Sequence, residues 1–157
     1  SIRYLEFVKS EDGSVVYQDF AHTPSKLYTS IHAVKEQFSN KKLLTLIELT
    51  PYDILKDDKL EMYRHSMIES DYAVVFLNKN SIKEKNIVLG NVVDKIFSTF
   101  DHTNMIVITD FDELNFYLEQ FESQGVNLLV MSSDSNIGVN VLSFADKFLA
   151  KKVKNFK

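Results

Sequence analysis

Four short apolar runs constrain this chain more than any other feature: residues 43–49 (LLTLIEL), 72–77 (YAVVFL), 105–108 (MIVI) and 126–131 (VNLLVM). Each is nearly continuous rather than alternating, the pattern of a strand buried on both faces of a parallel sheet. Between the runs the apolar spacing becomes helical. Leu27, Ile31, Val34 and Phe38 step by four, three and four, with Thr23 placed to cap the helix and Pro24 to open it. The same spacing predicts helices through Leu60, Tyr63 and Met67, through Val93, Ile96 and Phe100, through Leu114, Leu118 and Phe121, and through Leu142, Ala145 and Leu149. Asp110 followed by Glu113 reads as a capping box for the fourth of these helices.

Ahead of the alternation, residues 2–8 and 14–19 are extended stretches around Asp12-Gly13, a hairpin signature. Strands alternating with helices imply right-handed crossovers. The expectation is therefore an α/β fold: one three-layer, Rossmann-like domain over residues 1–157. Its mixed sheet should have about six strands, with the N-terminal hairpin strand antiparallel. A length of 157 residues at 18.1 kDa suits a single domain. A net charge of -4 and a sequence pI near 5.5 give no electrostatic reason to expect a nucleic acid or an anionic membrane as partner. The absence of cysteine excludes a disulfide scaffold, a cysteine nucleophile and thiolate-bound metal. No apolar run has the length of a membrane span, and the first residues do not read as a signal peptide, so a cytoplasmic location is expected. The lysines of the KKVKNF tail read as cations at the negative end of a last helix.

Ligands of open α/β sheets bind outside the carboxyl ends of the strands. Those ends are polar here: Asp19, Glu48 with Thr50, Asn78, Thr109 with Asp110, and Ser132 with Ser133. The densest cluster is Asp19-Phe20-Ala21-His22-Thr23-Pro24-Ser25-Lys26, which puts a carboxylate, an imidazole, two hydroxyls and an amine on one strand-to-helix turn. A helix N-terminus favours anions, and a carboxylate can accept from the vicinal hydroxyls of a ribose. The turn therefore suits a phosphate or carboxylate, although capping by Thr23 and helix initiation by Pro24 account for two of its residues structurally.

The stretch VVYQDFAHTPSKLYTSIHAVKEQF resembles the opening of the C-terminal domain of the Mur ligases, where Asp-Tyr/Phe-Gly/Ala-His-His-Pro-Thr follows a hairpin strand. Arg3 matches a basic residue opening that hairpin, LIELTPY a strand reaching the acceptor pocket, and LLVMSSDSNIGV a late strand ending Met-Ser-Asn/Ser-Gly. Among the branches it resembles UDP-N-acetylmuramate:L-alanine ligase and, more so, the murein tripeptide recycling ligase. The resemblance implies an ATP- and Mg²⁺-dependent, ADP-forming ligase of peptidoglycan synthesis or recycling, acting on UDP-N-acetylmuramate and an amino acid or peptide. It implies that Asp19 and His22 bind ATP, and that Ser25, Lys26, Glu48, Thr50, Ser132 and Ser133 line the acceptor. The sequence departs from the pattern at Thr23, which replaces the second His. Thr50 stands where the tripeptide ligase has an arginine, and Asp134, Ser135 and Ile137 interrupt a glycine-rich run.

Amide formation through an acyl phosphate needs a phosphate cradle. The four glycines, at 13, 90, 125 and 138, form no GxxxxGK[ST] loop. In the family that loop belongs to a central domain and UDP binding to an N-terminal one. The chain by itself is thus expected to be inactive and to close over ATP held by the central domain. Two other readings are a receiver-like signalling module, whose acidic pair, phosphorylatable Asp and Lys are not well placed here, and a degenerate domain kept for interaction. Glu61, His65 and Glu69 would share a helix face at four-residue intervals, reading as a solvated face rather than a metal site.

Overall fold

Asp12 and Gly13 both take positive φ, 51° and 82°, and so close a two-residue hairpin between β1 (Leu5–Glu11) and β2 (Ser14–Asp19). The computed structural model describes residues 5–20, 23–131, 137 and 140–152. From β2 the chain alternates through α1 (Pro24–Gln37), β3 (Lys42–Glu48), α2 (Pro51–Leu55), α3 (Asp57–Glu61), β4 (Tyr72–Phe76), α4 (Lys79–Glu84) and α5 (Leu89–Phe100). It continues through β5 (Met105–Ile108), α6 (Phe111–Gln120), β6 (Val126–Met131) and α7 (Val141–Leu149). The six-stranded sheet has the order β1-β2-β6-β3-β4-β5. Only the β1–β2 pair is antiparallel, as the sequence predicts.

Successive side chains of each strand alternate between two cores. Leu43, Ile47, Ala73, Val75, Leu129 and Met131 pack against α1, α4, α5 and the α2–α3 region. Leu44, Leu46, Val74, Phe76, Leu128 and Val130 pack against α6 and α7. This division follows from handedness, because β2→β3→β4→β5 advances across the sheet and its right-handed crossovers fall on one face, whereas β5→β6 returns on the other. β3, β4 and β6 are buried on both faces, whereas Ile106 and Val107 of the edge strand β5 are half-buried.

Helix α1 begins as its sequence dictates, with Pro24 in the first turn and the Thr23 hydroxyl accepting from the Lys26 N–H at 3.2 Å. Asp110 caps α6 through the Asp112 N–H, 2.8 Å away. Lys152 meets the end of α7 as the tail lysines predict, donating to the carbonyls of Lys147 and Phe148 at 2.9 and 3.1 Å.

The structure corrects three expectations. The first hairpin strand runs to Glu11 rather than ending at residue 8. Leu142 is on the exposed side of α7, whose inner face is Val141, Phe144, Ala145, Phe148 and Leu149. The helix expected through Leu60, Tyr63 and Met67 ends at Glu61, and residues 62–69 form successive turns. Bonds of i→i+3 type (Tyr63 N–H to Leu60 O at 2.9 Å, Ser66 N–H to Tyr63 O at 2.9 Å, Ser70 N–H to Met67 O at 3.0 Å) keep Leu60, Tyr63 and Met67 buried without an α-helix. His65, at φ 58°, is left-handed and breaks the run. Glu61, His65 and Glu69 therefore share no helix face: they pair instead with Arg64, Asp101 and His32.

Candidate functional site

The carboxyl edge of the sheet brings together the ends of β2, β6 and β3, neighbours whose following helices leave to opposite faces. Such a reversal opens a crevice in a doubly wound sheet. Asp19 ends β2 and is buried, 1% exposed, its carboxylate accepting from the Ser30 hydroxyl on α1. That bond ties strand to helix.

Glu48 ends β3 on the opposite face and is also buried, accepting the Ile137 N–H at 3.1 Å. Ile137 is fully buried in the α6–α7 core. Ile137, one of the three residues that interrupt the glycine-rich pattern, is thus a buried apolar side chain whose backbone N–H is held by a carboxylate. Thr50 is half-buried and caps α2, its N–H and hydroxyl both donating to the Asp53 carboxylate at 2.8 and 3.0 Å. Ser25 and Lys26 are exposed in the first turn of α1. Asp19, Ser25 and Lys26 thus cluster at the β2–α1 junction, and Glu48 and Thr50 at the end of β3. Arg3, His22, Ser132, Ser133, Asp134 and Ser135 lie outside the described residues.

A groove of about 520 Å³ opens beside the β2–α1 junction, between the start of α1 (Thr23, Ser25, Tyr28) and the irregular stretch that supplies Met62, Arg64 and Ser66. Apart from Thr23 and Ser25, the sequence reading placed none of these residues in a site. The signal it contained was the misfit of Met62 and Ile68, apolar residues that fall outside the Leu60-Tyr63-Met67 stripe.

Below the groove, Glu69 ties the irregular stretch to α1. Its carboxylate meets His32 Nδ1 at 3.0 Å, and the Tyr28 ring stacks on the imidazole at a centroid distance of 6.3 Å. The hydrogen bond to Glu69 holds the His32 imidazolium above its usual range, assisted by the charges of Glu69 and Glu36. Glu69 is correspondingly held low, chiefly by the hydrogen bond to His32; burial opposes this, and the Tyr28 hydroxyl and the charges of His32 and Lys35 add to it in smaller measure. Among the described residues no group of three or more His, Asp or Glu side chains is placed to hold a metal ion. No described helix is long and apolar enough to cross a membrane.

No family model and no curated protein sequence matches the chain. Solved structures do. The murein peptide ligase of Psychrobacter arcticus superposes with a TM-score of 0.66 at 17% identity, over 92% of this chain and 28% of the ligase. The UDP-N-acetylmuramate–alanine ligase of Thermotoga maritima gives 0.63 at 17% identity, over 94% of this chain and 30% of that one. A domain assigned to a UDP-N-acetylmuramate:L-alanyl-γ-D-glutamyl-meso-diaminopimelate ligase of Haemophilus ducreyi gives 0.61 at 18% identity, over 92% of this chain and 96% of the domain. The fold is that of the Mur ligase C-terminal domain. The chain spans the solved Haemophilus domain almost completely and less than a third of each of the two longer ligases.

Proposed function

We propose that this chain is the acceptor-binding and nucleotide-closing domain of an ATP-dependent, ADP-forming amide ligase. The longer polypeptide would join an amino acid or peptide to UDP-N-acetylmuramate in peptidoglycan synthesis or recycling. The observation that carries the reading is the likeness over more than nine-tenths of the chain to domains of such ligases, at 0.61 to 0.66 in TM-score. In this reading a central domain supplies the phosphate loop and holds Mg²⁺, which polarises the transferring phosphoryl group. The domain described here closes on that assembly and orients the acceptor amine toward the acyl phosphate, a contribution of position rather than of bond-making groups.

Asp19 and His22 are assigned to ATP, and Ser25, Lys26, Glu48, Thr50, Ser132 and Ser133 to the acceptor side. Asp19 has a double task, since its carboxylate also receives the Ser30 hydroxyl. Glu48 acts on the acceptor through the backbone of Ile137, and Thr50 through the start of α2.

The experiment is a steady-state comparison of the full-length polypeptide with its Asp19→Asn variant, which keeps an oxygen to accept from Ser30 and loses the charge. A lost charged hydrogen bond of about 1.5 kcal/mol predicts a rise of roughly tenfold in the KM for ATP, with the unfolding temperature preserved. An unchanged KM would reduce Asp19 to a tie between strand and helix. The 157-residue chain alone is expected to release no ADP from ATP.

A further inference from the structure

Helix α1 buries four residues, Leu27, Ser30, Ile31 and Val34, and Ser30 alone among them is polar. A hydroxyl on a buried helix face costs free energy unless it is hydrogen-bonded. Its usual local partner is a carbonyl one turn earlier. The neighbouring Thr29 takes that course, its hydroxyl donating to the Ser25 carbonyl at 2.9 Å. Ser30 instead donates out of the helix, to the Asp19 carboxylate at the end of β2.

We infer that Ser30 is a positioning residue for the nucleotide: its hydroxyl fixes the plane in which the Asp19 carboxylate meets ATP. The inference rests on the function proposed above, which assigns Asp19 to ATP. It adds a residue that acts through Asp19 and touches no substrate itself.

Two features suit the bond to that task. The torsion that turns a carboxylate about its own axis is soft and roughly two-fold, so hydrogen bonds decide where its oxygens point. Asp19 and Ser30 are both buried, so that orientation is set within the protein and not by exchanging water. The bond also reaches from the strand to the second turn of α1, whose place is held by Leu27, Ile31 and Val34 in the core. The carboxylate is therefore steadied from a packed helix. A group oriented before its ligand arrives loses little freedom on binding.

The test is ADP release by the full-length polypeptide with ATP varied and with Mg²⁺, UDP-N-acetylmuramate and a free-amine acceptor held constant. Alanine and L-alanyl-γ-D-glutamyl-meso-diaminopimelate, named for two ligases of this fold, are the first acceptors to use. Ser30→Ala is expected to raise the KM for ATP about fivefold with kcat within about twofold, the split expected when binding alone is weakened. Ser30→Cys nearly keeps the volume but donates weakly, and should raise KM about threefold. Ser30→Thr keeps the hydroxyl and should hold KM within about twofold of the native value. With Asp19→Ala in place no carboxylate remains to orient, so adding Ser30→Ala should change KM less than about twofold. A hydroxyl that only joins strand to helix would lower the unfolding temperature of Ser30→Ala and leave KM where it was. That result, an equal rise in KM with and without Asp19, or equal KM values for Ser30→Cys and Ser30→Thr would each overturn the inference and leave the ligase reading intact. The Cys and Thr variants decide the matter even if Ser30→Ala does not fold. A native polypeptide that forms no ADP with any free-amine acceptor overturns the ligase reading, and the inference with it.

Discussion

The two helical layers that enclose the sheet are built in opposite ways. On one face α6 and α7 are continuous, with Leu114, Leu118, Phe144 and Phe148 packed onto the strands. On the other, between β3 and β5, the chain is broken into α2, α3, a run of turns and α4 before α5 restores a regular helix. His65, Asn86 and Asp101, three of the four non-glycine residues described with positive φ, belong to this broken layer. The fourth, Asp12, closes the hairpin. The regular layer is scaffold, while the broken one exposes Met62 and Ile68, leaves the Ser66 hydroxyl unpaired and frames the groove beside the β2–α1 turn. Local irregularity of this kind has to be stabilised by the rest of the fold, and it gathers where side chains must point in directions a helix cannot supply.

Deleting a ring from the regular layer should have the largest effect. Phe148 is fully buried and stacks near Phe121 at 5.8 Å between centroids, so Phe148→Ala is expected to cost about 3–5 kcal/mol in chemical denaturation. A loss below about 1 kcal/mol would mean that this layer is not the scaffold. In the broken layer the sign should reverse at one position. His65→Gly relieves a left-handed backbone whose strain is about 1 kcal/mol or more, and gives up only an exposed pair with Asp101. A rise in the unfolding temperature of about 2–4 °C is expected, whereas His65→Ala should give none. Equal behaviour of the two variants would show that the backbone at 65 is unstrained.

The smallest effect concerns the clasp of His32 on Glu69. Folding raises the His32 imidazole, chiefly through its hydrogen bond to Glu69, so its contribution is complete below the unfolded value near 6.5 and is lost as pH rises through the higher folded value. Folding lowers Glu69, chiefly through the same bond, so its contribution is present above the unfolded value of 4.5 and is lost as pH falls. The difference in unfolding temperature between the native chain and His32→Gln should thus be greatest between about pH 5 and 6.5 and vanish by about pH 9. A difference independent of pH would assign the contact to ring stacking on Tyr28 alone.

The same contrast explains what could be read from the residues. Periodicity located α1, α5, α6 and α7 because each presents one apolar stripe to one core, and continuous runs located the strands because β3, β4 and β6 are buried on both faces. It misread residues 62–69 because a series of i→i+3 turns can bury Leu60, Tyr63 and Met67 with nearly the spacing of a helix. At the site, Asp19, Glu48 and Thr50 were legible as polar residues at strand ends. Their inward bonds to Ser30, Ile137 and Asp53 were not, since these depend on tertiary packing. The groove was hidden for the same reason: its walls are 34 or more residues apart in sequence, from Tyr28 to Met62, and no local pattern relates them.

The ligase reading is tested most directly by ADP release from the full-length polypeptide supplied with ATP, Mg²⁺ and UDP-N-acetylmuramate, with and without an amino acid or peptide bearing a free amine. The account predicts ADP formed in step with the new amide and dependent on the acceptor. A folded polypeptide that binds UDP-N-acetylmuramate yet forms no amide with any acceptor would contradict it.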